Sequence, residues 1–348
     1  MKFFLFSLLT LFSLELYSQW NSCTSLNTPI SVAEGVQYEP KIIRDNNNGV
    51  YIAWTQELGS SDIYCQRVNS NGEPLWQLNG IPVCENPSLQ YAPQIFPDTE
   101  GGVIILWLDR RNTFMDYSVY GQRLDKDGNK LWSDEGLFIC EAHSVRNAST
   151  TYFKALQDRN GNIIITNSGT SFYVEYGTIK AYKIDIDGNH LWEDGIIVGG
   201  NIYWDNYDLC LNSNNEIGFI WSQNLHYPSE YNYDVNIYFQ ILDSLGNKKW
   251  PEKKCLLDYD ESLFNPLISS DDQGGFYIHF SQVGQSHLQR FNAEGEIIWN
   301  NHLTFEIADD ECNLINTNNG VFLRIKKKIY IIDFLGNMKS MNFLFPKL

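Results

Sequence analysis

A hairpin cassette repeats down this chain and limits what the chain can fold into. Each copy joins a β-branched and aromatic run, a Gly-containing turn and a Trp four residues after the Gly. Five copies keep both residues, at Gly72 and Trp76, Gly128 and Trp132, Gly188 and Trp192, Gly246 and Trp250, and Gly295 and Trp299. A sixth keeps Gly336 and has Ser340 at the Trp position. So short a unit cannot bury its own apolar face, and successive units must stack on one another. Asn71-Gly72, Asp127-Gly128 and Asp187-Gly188 predict type I′ turns, in which both residues take positive φ.

Ahead of each cassette lie two more strand-like runs separated by a polar turn, at 45–49, 98–102, 158–161, 212–215, 271–275 and 316–320. The runs that follow, such as 50–54, 103–107 and 217–221, are short, β-branched and aromatic, as buried strands are. A fourth strand is expected to begin near the Trp. Gly49, Gly102, Gly161, Glu216, Gly275 and Gly320 are spaced 53, 59, 55, 59 and 45 residues apart. Four antiparallel strands in units of that length predict an all-β fold, a six-bladed β-propeller of four-stranded blades. The units fall near 36–84, 89–140, 150–200, 204–258, 262–307 and 309–348. Residues 20–32 look like the tail of a unit without its beginning, and are expected to form an N-terminal strand that closes the ring.

Of the 348 residues, 43% are apolar and 14% aromatic, enough for a packed core. A formal charge of −17 repels a phosphate backbone, so nucleic acid is excluded as a partner class. Residues 1–18 read as an export signal, with Lys2, an apolar stretch over 3–14 and Ser18 before Gln19. That stretch is too short to span a bilayer, and no later one is long enough, so no transmembrane segment is expected. The mature chain, 19–348, is expected to be a single domain in the periplasm or outside the cell. Seven cysteines include no C-x-x-C pair. Cys84 and Cys140 each follow their Trp by eight residues, which makes them one buried repeat position used twice.

The third-strand segments Asp62-Ile63-Tyr64-Cys65-Gln66-Arg67-Val68 and Val119-Tyr120-Gly121-Gln122-Arg123-Leu124-Asp125 resemble a broad group of secreted bacterial β-propeller-repeat proteins. Units of that group read roughly D-I-Y-x-Q-R-L-D-x-D-G-x-x-L-W. Units four and five keep the Gln at Gln240 and Gln289, whereas units three and six have Tyr182 and Tyr330. The resemblance spans roughly residues 20–345 and implies the fold and export, but no particular activity.

Candidate chemistry is sparse. Asp125/Asp127 and Asp185/Asp187 have the alternation of a calcium loop, but Gly136 and Ile196 occupy the positions where a closing Glu belongs. Hairpin turns are the expected role, and no cofactor is expected. The two Trp series, at 54, 107 and 221 and at 76, 132, 192, 250 and 299, suit packing between blades better than sugar stacking. Six scattered His residues form no metal motif, and no nucleophile elbow or phosphate loop is present. Asp109, Asp205, Asp271 and Glu230 lie near strand ends or in loops, where a pair of hydrolytic carboxylates would have to be found. The Tyr-rich loop 223–236 stands out as a binding loop. Trp204, Tyr227, Glu230, Tyr231, Tyr233 and Asp234 are the ligand-binding candidates there and nearby. The composite reading is an exported binding or scaffold propeller for a protein or glycan, with its ligand near the ring axis or that loop. A carbohydrate-active hydrolase and a purely structural envelope protein are the alternatives.

Overall fold

The computed structural model describes residues 28–112, 117–142, 153–169, 177–224, 235–257, 263–282, 284–306, 312–326 and 328–342. Every regular element among them is a β-strand. Blade one is built from Val36–Arg44, Val50–Leu58, Ser60–Val68 and Ile81–Cys84, and blade two from Gln90–Pro97, Val103–Asp109, Tyr117–Leu124 and Leu137–Ala142. Blade three has Phe153–Gln157, Ile163–Gly169 and Gly177–Ile184, and its fourth strand is the first half of the long strand Ile196–Leu211. The second half of that strand opens blade four, followed by Ile217–Asn224, Val235–Leu242 and Lys254–Leu257. Blade five holds Phe264–Ser270, Phe276–Gln282, Gln285–Phe291 and Leu303–Glu306, and blade six holds Cys312–Thr317, Gly320–Ile325, Lys328–Asp333 and Met338–Asn342. All pairings are antiparallel. The first strands of neighbouring blades pack on one another, which makes them the inner strands.

The expected six blades of four strands are present, with three corrections. First, the described part of the proposed closing strand, 28–32, is not a strand. The Val32 amide donates to Asn79 of blade one, and Ile30 and Ser31 lie in a small cleft against Tyr38, Ile52 and Trp54. Blade six draws its four strands from 312–342. Second, the fourth strand begins several residues past each Trp, as at Ile81 and Leu137. Gly80 and Gly136 intervene at positive φ and turn the chain first. Third, the hairpin turns are not type I′. In the Asp127-Gly128 turn only the glycine has positive φ, 88°. The Asp125 amide donates to the Asn129 carbonyl, and the Asp125 carboxylate accepts from the amides of Asp127 and Asn129. This is a type I turn closed by a left-handed Gly, with an Asp holding it from within.

The Gly–Trp pairing proves to be a contact between blades. A Cβ added to Gly128 would lie 3.2 Å from the Trp76 ring, and one on Gly188 would lie 3.3 Å from that of Trp132. Gly246 on Trp192, Gly295 on Trp250 and Gly336 on Trp299 repeat the arrangement. Each turn glycine thus seats on the Trp of the preceding blade. The apolar core accordingly lies between blades: five clusters join blade one to two, two to three, three to four, four to five and five to six.

A buried ion pair fixes the other edge of four of these five contacts. Asp45, Asp98, Asp158 and Asp271 sit in the first turn of their blades, each side chain 1% exposed, and pair with Arg67, Arg123, Lys183 and Arg290 of the third strand at 2.8 Å. The same basic groups cross to the next blade: Arg67 to the Lys126 carbonyl, Arg123 to Asp187, Lys183 to the Ser244 carbonyl and Arg290 to the Phe334 carbonyl. Burial disfavours the Asp45 carboxylate, but Arg67 and the amides of Asn47 and Gly49 outweigh it and hold its pKa below the usual carboxylate value. Blades four and six lack both partners, having Asn212 with Ile241 and Asn316 with Ile331.

Because half a buried pair is worse than none, Arg123→Met alone is expected to cost about 3 to 5 kcal/mol. Asp98→Asn combined with Arg123→Ile, the combination native to blades four and six, is expected to recover most of that loss in urea unfolding. A double variant no more stable than the single would contradict this.

Blade five carries an acid-labile spot. His279 and His287 are 0% and 4% exposed, and burial pushes both pKa values down to about 4. His279 bonds to Ser286, and His287 stacks on Phe280 beside His302. A histidine held neutral in the fold takes up its proton more readily when unfolded, so stability is complete above about pH 6.5 and declines from there toward pH 4. The urea midpoint is expected to fall over that range, and His279→Gln is expected to flatten the decline.

Candidate functional site

Three inner strands share a sequence device, an aromatic residue, a variable residue and Pro. Tyr38-Glu39-Pro40, Tyr91-Ala92-Pro93 and Phe264-Asn265-Pro266 each interrupt the ladder, with register shifts between Tyr38 and Lys41, Tyr91 and Gln94, and Phe264 and Leu267. Proline has no N–H to give the ladder, so a bulge there loses little. The residue before it takes a left-handed conformation, with φ of 54° at Glu39, 54° at Ala92 and 50° at Asn265. Only Gly adopts that conformation at no steric cost.

Polar groups on the inner strands, some of them at these bulges, reach from one blade to the inner strand of the next. The Glu39 carboxylate accepts from the Ala92 amide at 2.9 Å. Gln94 donates to the Phe153 carbonyl at 2.7 Å. Lys154 pairs with Asp208 at 2.9 Å, and Asp208 also accepts from the Ile268 amide at 3.1 Å. Blades one to five are thus tied in sequence at their inner strands.

Between the inner strands of blades one, two and three lies a cleft of about 360 Å³. Its walls include Ile43, Pro93, Ile95, Phe96 and Phe153, and its polar groups are Glu39, Lys41 and Gln94. Lys41 is exposed and has no acidic partner among the described residues. Rigid strands, apolar walls and a few directed polar groups are what a small-molecule or oligomer site requires.

None of the sequence-predicted candidates whose side chains are described lines this cleft. Tyr227, Glu230, Tyr231, Tyr233 and Asp234 fall outside the described residues. Trp204 and Asp205 belong to the long strand Ile196–Leu211 by their backbone, and their side chains are outside what is described. Trp54, Trp107 and Trp221 are buried core, 3% exposed or less. Asp271 belongs to the Arg290 pair. Asp109 is fully buried and accepts from Ser88, from the Trp107 indole and from the backbone and guanidinium of Arg111. At Asp125 and Asp185 the carboxylates are taken up by the amides of their own turns and by Asn129 and Asn189. No group of three or more His, Cys, Asp or Glu suited to a metal ion occurs among the described residues. No described helix is long and apolar enough to cross a membrane.

The repeated Gln is structural. Gln66, Gln122, Gln240 and Gln289 donate to the carbonyls of Gln77, Ser133, Trp250 and Trp299, and the first three accept from the amides of Trp76, Trp132 and Trp250. Cys84 and Cys140 occupy matching outer strands and are buried, and burial raises both thiol pKa values, that of Cys140 to about 12. Glu39, Lys41, Gln94, Lys154 and Asp208 were not singled out from the sequence. The signal that marks the first three is the aromatic-x-Pro element itself.

No family model matches the chain, and no curated protein matches it. Solved structures do. A protein from Lactobacillus plantarum aligns over 89% of this chain and 86% of its own with a TM-score of 0.52 at 9% identity, so the two share a fold. An ulvan lyase, a polysaccharide lyase, aligns over 84% of this chain and 78% of its own at 0.49 and 9% identity. An α-L-arabinanase of Penicillium chrysogenum aligns over 73% and 80% at 0.46 and 11% identity.

The left-handed Ala92 gives a direct check on the bulge. Ala92→Gly is expected to leave the urea midpoint unchanged or raise stability by up to about 1 kcal/mol, since it relieves a steric cost. A loss of that size would mean that Ala92 is not left-handed in solution.

Proposed function

We propose that this chain is an exported, non-catalytic glycan-binding propeller whose ligand lies in the axial cleft of blades one to three. The observation that carries this reading is the make-up of the cleft. Ile43, Ile95, Phe96 and Phe153 offer apolar surface to the faces of sugar rings, while Glu39, Lys41 and Gln94 offer donors and acceptors to their hydroxyl edges. The bulges fix those groups on strands rather than loops, so little ordering is required when a ligand binds.

Binding fits the axial acids better than hydrolysis does. A glycosidase needs two carboxylates facing one bond, one of them with a raised pKa. Glu39 in blade one and Asp208 in blade four are the inner-strand carboxylates whose side chains are described, and each is tied to a backbone amide of the next blade. Export rests on the signal-like segment 1–18, and the role of the Tyr-rich loop 223–236 as a second contact remains part of the proposal.

Lys41→Ala is expected to weaken binding of neutral oligosaccharides about tenfold in titration calorimetry, the loss of one hydrogen bond from a charged donor. Thermal stability should not change, because Lys41 is exposed and unpaired. Unchanged affinity in the variant, or no affinity in the parent, would overturn the proposal.

A further inference from the structure

We propose that Arg110 forms an oxyanion-recognition subsite beside the axial cleft, so that the preferred glycan carries carboxylate or sulfate groups. This deepens the glycan-binding reading and rests on it.

Arg110 directly follows the strand Val103–Asp109, and its amide donates to the Leu89 carbonyl at 3.1 Å, which fixes its backbone. Its guanidinium lies 4.4 Å over the ring of Tyr117. Tyr117 in turn meets Tyr91 edge-on, with ring centroids 5.1 Å apart at 88°. Tyr91 immediately precedes Ala92 and Pro93 of the cleft wall. An aromatic pair therefore links the guanidinium to the strand that carries part of the cleft wall.

Arg110 differs from the buried arginines of the blades in having no acid among the described residues. Arg67, Arg123 and Arg290 each pair with a buried Asp. Arg111 makes the same kind of stack, 4.0 Å over Tyr120, but bonds to Asp109 at 2.6 Å and faces Glu135 at 3.6 Å. Among the described residues the Arg110 side chain meets no acceptor, and its Nε, like that of Arg111, is buried without a partner. In a chain of formal charge −17, carboxylates are not scarce, yet none of the described ones pairs with Arg110. A buried donor left unmade is costly.

The Nε is buried, so the edge a ligand can meet is the one formed by the two terminal Nη groups. That edge matches two oxygens of a carboxylate or sulfate, which an ammonium cannot engage in the same way. A uronic acid residue and a sulfate ester present the same chemistry, and both occur on sugar rings that the cleft could hold.

The test is titration calorimetry at about 0.15 M salt, which screens the overall negative charge. The full mature chain is compared with Arg110→Lys and Arg110→Gln, using a neutral oligosaccharide, its uronate counterpart and its sulfated counterpart. The parent is expected to bind at least one acidic form at least about tenfold more tightly than the neutral one, as a charge-assisted bidentate contact supplies. Gln is expected to abolish the preference and Lys to keep only part of it, with near-UV circular dichroism unchanged. The uronate and sulfate arms decide which source fits. If acidic and neutral forms bind the parent equally, or Arg110→Gln keeps the preference, the subsite is wrong while glycan binding stands. If no oligosaccharide binds the parent, both fail.

Discussion

The buried pair between a first-turn aspartate and a third-strand base is the interaction that the rest of the structure depends on. In blade five the Asp271 carboxylate accepts from the amides of Gln273 and Gly275 and so shapes the turn, while Arg290 ties that turn to the third strand and reaches the Phe334 carbonyl of blade six. One constellation thus links turn, sheet and next blade. Neither half can be lost alone, because the remaining charge would be buried without a partner. The sequence obeys that constraint: Asn212 stands with Ile241 and Asn316 with Ile331. In blade four Asn212 reaches the Gly274 carbonyl directly and supplies an interblade contact of its own.

Blades six and one share none of these ties among the described residues. The five apolar clusters found among the described residues join blades in chain order, and none joins the sixth to the first. Ser340 replaces the Trp on which the next turn glycine would sit, and Ile331 replaces the crossing base. Ile42 and Ile315 remain 63% and 57% exposed. The cleft of blades one to three lies on the side of the ring where the successive inner-strand ties begin, and those ties hold its walls in place.

Much of the fold was legible in the sequence because its determinants are local. Asp127-Gly128 announces a tight turn, and the recurrence of Gly with Trp sets the unit length. What Gly and Trp do for each other was not legible, since Gly188 meets Trp132, 56 residues earlier in the chain. The same limit applies to the site. Glu39, Gln94 and Phe153 belong to three units and converge only when the inner strands come together, so no spacing in the chain marks them. Tyrosine-rich composition drew attention to 223–236, most of which lies outside the described residues, while the bulge at Tyr91-Ala92-Pro93 carries a local sign, an aromatic two residues before Pro, that becomes meaningful only once the ladder is seen to shift there. Arg110 was equally hidden, because what sets it apart is that no described acid pairs with it in space.

The most direct test of the account is hydrogen–deuterium exchange on the mature chain with and without a bound oligosaccharide, read peptide by peptide. Binding in the axial cleft predicts added protection in the inner strands Val36–Arg44, Gln90–Pro97 and Phe153–Gln157, with the outer strands Ile81–Cys84 and Leu137–Ala142 unchanged. Protection confined to 223–236 or to the outer strands would place the ligand elsewhere and contradict it.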